Sequence, residues 1–227
     1  MAQHSDWGDY HSANHRTTRL AELTTRPGFQ HLVNHPGLTP DSAVLDFGCG
    51  YFDLGFALAP RVARMDGLEI DASSLQLAKS RIASLPNAAI HPRPEDVPAA
   101  AYDLITANSV FQYLADDAEV LRTLNQFRGW LKPSGLGEVL LIDLIPTRYS
   151  PHRDGLRSMW VATMNGLPFS MARFLWKAMR SPHRRKWWVV DPVRMNAIAR
   201  EVGFDCERLP KNLAPSLQRF TCRLGAK

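Results

Sequence analysis

The segment Val44-Leu45-Asp46-Phe47 runs without a break into Gly48-Cys49-Gly50 and then into an apolar stretch that ends near Ala59. Few folds accommodate a short buried strand that turns through Gly-x-Gly straight into a helix. The glycines let the backbone reverse sharply and approach a ligand closely. The helix that follows offers unpaired N–H groups and a partial positive charge at its start. In an open α/β sheet such a loop lies at the carboxyl edge of the strands, where ligands bind. Glu69 follows Gly50 by the roughly 20 residues expected of a carboxylate that accepts both hydroxyls of a ribose.

The remainder of the chain supplies the partners such a strand needs. Met65 to Ile70 reads as a second strand, Ala88 to His91 as a third and Tyr102 to Ala107 as a fourth. Ser73 to Ser84 has helical spacing through Leu75, Leu77, Ala78 and Ile82. Asp116 or Asp117 caps a helix whose inner face is Val120, Leu121, Leu124, Phe127 and Leu131, and Pro133 and Gly135 stop it. Val139 to Leu144 is a continuous apolar run, as in a strand covered on both faces. Asp191-Pro192 opens a last helix with inner face Val193, Ile198, Ala199 and Val202, and Gly203 closes it. Phe220, Cys222 and Leu224 alternate as a half-buried final strand. Strands alternating with helices predict a doubly wound α/β fold, mostly parallel, with helices on both faces.

Bulk properties narrow the class. The 227 residues suit one α/β domain with decoration. No apolar run approaches the roughly 20 residues that span a bilayer. The N-terminus, with His4, Asp6, Asp9, His11 and His15, lacks the apolar core of a secretion signal, so a cytoplasmic location is expected. Cys49, Cys206 and Cys222 have neither metal-ligand spacing nor the even count of a disulfide framework, and no metal is expected. The net charge of +5 is too small to imply nucleic acid by itself.

Two nucleotide-type ligands compete for the glycine loop. A dinucleotide needs Gly-x-Gly-x-x-Gly, and here the third position is Asp53, which would repel a pyrophosphate. S-adenosylmethionine (SAM) carries a sulfonium and an amino group instead, and tolerates the acids Asp46, Asp53 and Glu69. Five segments in order then resemble the class I SAM-dependent methyltransferases: Val44–Gly50; Gly67-Leu68-Glu69-Ile70-Asp71; Tyr102-Asp103-Leu104-Ile105 with Asn108-Ser109-Val110; Leu131-Lys132-Pro133-Ser134-Gly135; and Gly203-Phe204 with the strand ending at Leu224. The resemblance covers roughly residues 41–145 and 190–226. It implies a seven-stranded sheet with an antiparallel last strand. It implies that Asp46, Gly48, Cys49, Gly50 and Asp53 line the methionine and ribose end, that Glu69 holds the ribose, that Ile70 packs on adenine, that Glu95 borders the adenine amino group and that Asn108 contacts the methionine moiety. Two positions depart from the family. Phe52 stands where a third glycine is usual, so either the loop is displaced or the ring points away into the helix packing. Arg93-Pro94 replaces a usual acid, and shifts adenine recognition toward Glu95.

The expected organisation is an N-terminal helical cap over 1–40, a SAM-binding core over 41–145, a helical lid over 146–190 and a closing helix with a β-hairpin over 191–227. The lid holds Trp160, Trp176, Trp187 and Trp188. Phe169, Met171, Phe174, Leu175 and Met179 form one helical face, and Arg173, Lys177 and Arg180 another, with Arg184, Arg185 and Lys186 following. Three readings stand: an amphipathic helix packed on the sheet, an apolar acceptor pocket with a basic rim, or shallow contact with an anionic membrane surface. Asn108-Ser109-Val110-Phe111 lacks the prolines of enzymes that methylate exocyclic amines. Candidate bases are Tyr113, just after the fourth strand, and His152 and His183 in the lid, with Tyr10, His11 and His15 further off. The expected activity is methylation of a small molecule or glycan/lipid precursor bearing a phosphate or carboxylate. An RNA methyltransferase and a non-catalytic SAM-binding protein are the alternatives.

Overall fold

A computed structural model describes residues 28–133, 137–180 and 187–226, with the backbone alone for 177–180. Residues 1–27 of the cap expected over 1–40, the turn at Ser134-Gly135 and His183 lie outside the described residues. The strands are β1 (Ala43–Phe47), β2 (Arg64–Leu68), β3 (Ala88–His91), β4 (Leu104–Asn108), β5 (Glu138–Leu144), β6 (Phe204–Arg208) and β7 (Phe220–Ala226). They form one sheet in the order β3-β2-β1-β4-β5-β7-β6. β1 to β5 pair in parallel, and β7 runs antiparallel between β5 and β6.

Two hydrophobic cores cover the two faces, and alternate residues of each central strand divide between them, as the two-residue period of a strand requires. Leu45, Val139 and Leu141 face one core with Phe127, Trp130 and Ile198. Val44, Leu140 and Ile142 face the other with Leu54, Leu58 and Ala78. The helices follow suit: α1 (Asp53–Leu58) and α2 (Ala72–Ile82) lie on the second face, and α3 (Asp117–Trp130) and α6 (Pro192–Glu201) on the first. α2, α3 and α6 each start on a side-chain cap. Asp71 accepts from Ser74 N–H at 2.8 Å. Asp116 accepts from Glu119 N–H at 2.9 Å. Asp191 accepts from the N–H groups of Val193 and Arg194, both at 3.0 Å, ahead of Pro192 at the first helical position.

Four sequence expectations shift. Leu77 and Val193 are exposed at 40% and 81%, because the buried stripes run through Ser74 and Ala78 on α2 and through Met195, Ile198, Ala199 and Val202 on α6. The fourth strand begins at Leu104, since Tyr102 makes only an isolated bridge to Leu131. In the last strand Phe220, Cys222 and Leu224 lie in the core as expected, but Thr221 is fully buried as well, because β7 is interior to the sheet. Phe169 leaves the expected apolar face and is 89% exposed.

Between β5 and α6 the chain inserts two helices, α4 (Pro151–Met164) and α5 (Pro168–Arg180). They pack on one another through a small core of Ala162, Met171, Met159, Leu167, Phe174 and Leu175, separate from the two sheet cores.

Candidate active site

The loop after β1 turns on three left-handed residues: Gly48 (φ 69°), Gly50 (φ 54°) and Phe52 (φ 61°). Its amides are anchored, with Gly48 and Cys49 donating to Leu68 O at 2.8 and 3.1 Å. A side chain at Gly48 would meet Val110 Cγ2 at 2.6 Å, whereas one at Gly50 would meet nothing within 4 Å. Gly48 is thus a packing glycine, and Gly50 opens the space above the loop. Phe52 takes the strained backbone and turns its ring away into the core, where it is fully buried. Gly55, one helical turn on, makes the room: a Cβ there would fall 2.2 Å from the Phe52 ring. The Cys49 thiol also faces the core, against Gly67 and Ile90, and burial pushes its pKa well up, so only its backbone faces the loop.

Glu69 is buried beneath this loop. One carboxylate oxygen accepts from Gly50 N–H at 2.8 Å and the other from Asp71 N–H at 2.8 Å. Burial raises its pKa, and these two amides hold the rise in check. Asp46, at the end of β1, accepts from Thr106 Oγ1 at 2.9 Å. Burial, with Glu69 and Asp53 nearby, pushes its pKa up to about 7 against the Thr106 bond. Asp53 sits in the first turn of α1, paired with Arg81, which also donates to Tyr51 O at 2.8 Å. Ile70 is 55% exposed at the sheet edge. Glu95 is exposed in the short 3-10 turn Pro94–Asp96, and Arg93 folds back on Asp96 at 2.9 Å.

A second polar cluster lies where β4 and β5 end. Ser109 (φ 58°) and Asp143 (φ 71°) are both left-handed and joined, Ser109 Oγ donating to Asp143 Oδ2 at 2.8 Å. Ser109 Oγ also reaches Asn108 Oδ1 at 3.3 Å. Asp143 stands in a β-bulge, where Ile142 and Asp143 oppose Thr221 alone. Its carboxylate accepts from Arg219 Nη1 at 2.7 Å and Asn212 Nδ2 at 3.0 Å. Arg219 also donates to Gln112 Oε1 at 3.1 Å and Tyr149 OH at 2.9 Å, and approaches Asp154 of α4 at 3.3 Å. Its guanidinium lies over the rings of Tyr149 and Trp187, at 5.0 and 5.6 Å. Burial works to lower the Arg219 pKa, but Asp143, Tyr149 and Asp154 outweigh it and raise it. Burial lifts Tyr149 to about 12 despite Arg219.

Residue motifs did not point to Asp143, Tyr149, Asp154 or Arg219. The one available signal was a carboxylate inside the apolar run Val139–Leu144. Of the proposed bases, Tyr113 is half-buried in the 3-10 turn Phe111–Tyr113 beside Gln112, and His152 is exposed in the first turn of α4.

Residues 45–136 match the family model described as a methyltransferase domain. The chain is similar to the methyltransferase-domain family over these residues. It is 34% identical over 102 residues, 41% of the chain and 36% of the relative, to a malonyl-[acyl-carrier protein] O-methyltransferase of Halalkalibacterium halodurans. It is 34% identical over 128 residues, 56% of the chain and 47% of the relative, to a trans-aconitate 2-methyltransferase of Methylobacterium radiotolerans. The chain thus spans less than half the length of these relatives. The fold of magnesium protoporphyrin IX methyltransferase from Synechocystis PCC 6803, solved with bound S-adenosylhomocysteine, superposes with a TM-score of 0.62 at 14% identity, over 98% of this chain and 94% of that one. The residues of this loop fit a SAM cofactor: Gly50 leaves open space, and the carboxyl groups of Asp46 and Glu69 lie beside the loop.

Proposed function

We propose that the chain transfers the methyl group of SAM to a small acceptor that carries a carboxylate or phosphate, held between the ends of β4 and β5 and the α4–α5 insertion acting as a lid. The observation that carries the cofactor half is the bridging of Gly50 and Asp71 by Glu69. A carboxylate has about four acceptor positions, so Glu69 keeps room for a ribose hydroxyl beside its backbone donors. Asp46 faces the cationic end, Ile70 offers an apolar surface to adenine, and Glu95 borders the ring's amino group. Gly48, Cys49 and Asp53 shape the loop through backbone and ion pair.

SAM supplies an electrophilic methyl, which an acceptor lone pair takes as the carbon–sulfur pair returns to sulfur. The protein's share is positioning and exclusion of water. An acceptor carboxylate is already a nucleophile at neutral pH and needs no base, whereas a hydroxyl or amine acceptor would need Tyr113, His152 or His183. The relatives named for malonyl-[acyl-carrier protein] and trans-aconitate favour the carboxylate reading. Asn108 is tied through Ser109 to Asp143 and Arg219, so the cofactor and acceptor sides share one hydrogen-bond network.

Calorimetric titration with S-adenosylhomocysteine tests the first half. We expect micromolar binding, lost by at least about tenfold in Glu69→Ala, since removing partners of a buried ligand-binding carboxylate costs more than 1.4 kcal/mol. Labelled-methyl transfer to a panel of di- and tricarboxylic acids tests the second. Tight binding with no transfer to any acid or phosphoester would overturn the acceptor class.

A further inference from the structure

The charge of this chain is segregated. Residues 146–190 carry nine Lys and Arg against a single acid, Asp154, while the remaining residues carry 18 against 21. Asp154 is turned inward, bound by Ser216 Oγ at 2.5 Å, Tyr149 OH at 2.8 Å and Arg219 at 3.3 Å. The α4–α5 insertion therefore shows no acid outward among the described residues.

The same insertion exposes large apolar side chains. On α4, Leu156, Trp160 and Met164 are 74%, 59% and 70% exposed. On α5, Phe169 is 89% and Trp176 50% exposed. At 100° per residue, Arg153, Leu156, Arg157, Trp160 and Met164 fall within about 100° of arc. Phe169, Arg173 and Trp176 likewise share one side of α5. The opposite sides are the ones buried between the helices, through Ala162 and Met171. Arg153 and Arg173 are exposed, and Arg157 lies 5.6 Å over the Trp160 ring.

We propose that this outer face seats the protein on an anionic lipid bilayer, with Leu156, Trp160, Met164 and Phe169 entering the headgroup boundary and the arginines meeting lipid phosphates. An interfacial helix needs an apolar stripe flanked by basic residues, with Trp at the water boundary. Long arginine stems reach from that depth to the phosphates. The face projects on the outside of a helix pair, opposite its packed side. A second copy is disfavoured, because two faces of the same high positive charge would meet. No described helix is long and apolar enough to cross a membrane, so the contact is peripheral. This inference stands apart from the acceptor assignment and rests on the outer face alone.

Sedimentation of the full chain with large vesicles tests it. We expect binding to vesicles of phosphatidylcholine with about one-third phosphatidylglycerol, at least about tenfold weaker binding to phosphatidylcholine alone, and loss of binding as salt rises. Trp fluorescence should shift to the blue on binding. The triple variant Leu156→Ser, Trp160→Ser, Phe169→Ser should lose vesicle binding about tenfold while its unfolding midpoint and S-adenosylhomocysteine affinity stay unchanged. Absence of binding to the anionic vesicles would overturn the proposal. So would undiminished binding of the triple variant, or a native dimer in solution that the variant dissociates, which would assign the face to a second copy.

Discussion

Asp46 is buried beside two other acids, and its proton has a measurable role. Its pKa is raised from 3.8 to about 7, so the folded chain keeps a proton that the unfolded chain has lost. Stability contributed by that proton is full below about pH 4 and declines as pH rises toward 7. A cationic ligand beside Asp46 favours the opposite, ionised form. Affinity for SAM should therefore rise with pH up to about 7, by as much as about tenfold per unit, and Asp46→Asn should flatten that dependence. Calorimetry across pH 5–8 checks this, and a pH-independent affinity in the native chain would remove Asp46 from the cofactor's surroundings. Phe52 and Gly55 form a second residue-level pair. Gly55→Ala places a methyl against the Phe52 ring and should cost roughly 1–3 kcal/mol in urea unfolding. In Phe52→Ala the same change should cost much less, which a double-mutant cycle would show. The sequence left two readings of Phe52, a displaced loop or a ring turned into the helix packing, and the ring lies in the core. Room for it is made one turn further on, at a glycine that no loop motif includes.

Elements differed in how openly they were written. α3 and α6 announce themselves because a cap, an apolar period and a stop agree, and β1 because a short apolar run meets Gly-x-Gly. Glu69 was legible too, since the contact with Gly50 spans only 19 residues and follows a known spacing. The acceptor side was not. Arg219 is 76 residues from Asp143, and their pairing depends on β7 entering between β5 and β6 in antiparallel sense. Nothing local in either segment encodes that meeting. Arg219 also ties the sheet to α4 through Asp154, so it docks the insertion as well as neutralising Asp143. Arg219→Ala leaves two largely buried carboxylates without their cation, and we expect a loss of about 3–5 kcal/mol in thermal unfolding. Limited proteolysis should then cut first between β5 and α6. Arg219→Lys should recover only part, because a single ammonium cannot replace a planar fork that serves Asp143, Gln112 and Tyr149 together. Wild-type stability in Arg219→Ala would show that the insertion is held by its apolar contacts alone.

At the scale of the whole molecule, three cores correspond to two duties. The two sheet cores fix the cofactor edge, while the satellite core of α4 and α5 is tied on by a polar network rather than by a shared apolar layer. The alternation of strands and helices placed the chain among α/β domains, and the sheet has that form. The direction in which the insertion faces was open, because its two helical sides carry similar apolar content. Phe169, expected inside, lies outside for that reason. The bulge at Asp143 leads further. Val139 and Leu141 point to one core, Leu140 and Ile142 to the other, and Leu144 returns to the first after an extra residue. Removing Asp143 would restore strict alternation and leave every apolar side chain of β5 facing the core it faces now. Asp143 is thus, in geometric terms, one residue inserted into the strand, and the apolar packing of β5 could lose it without any side chain changing sides. Lineages of this fold could gain or shed an acceptor-side carboxylate by a single-codon indel rather than by redesign of the strand.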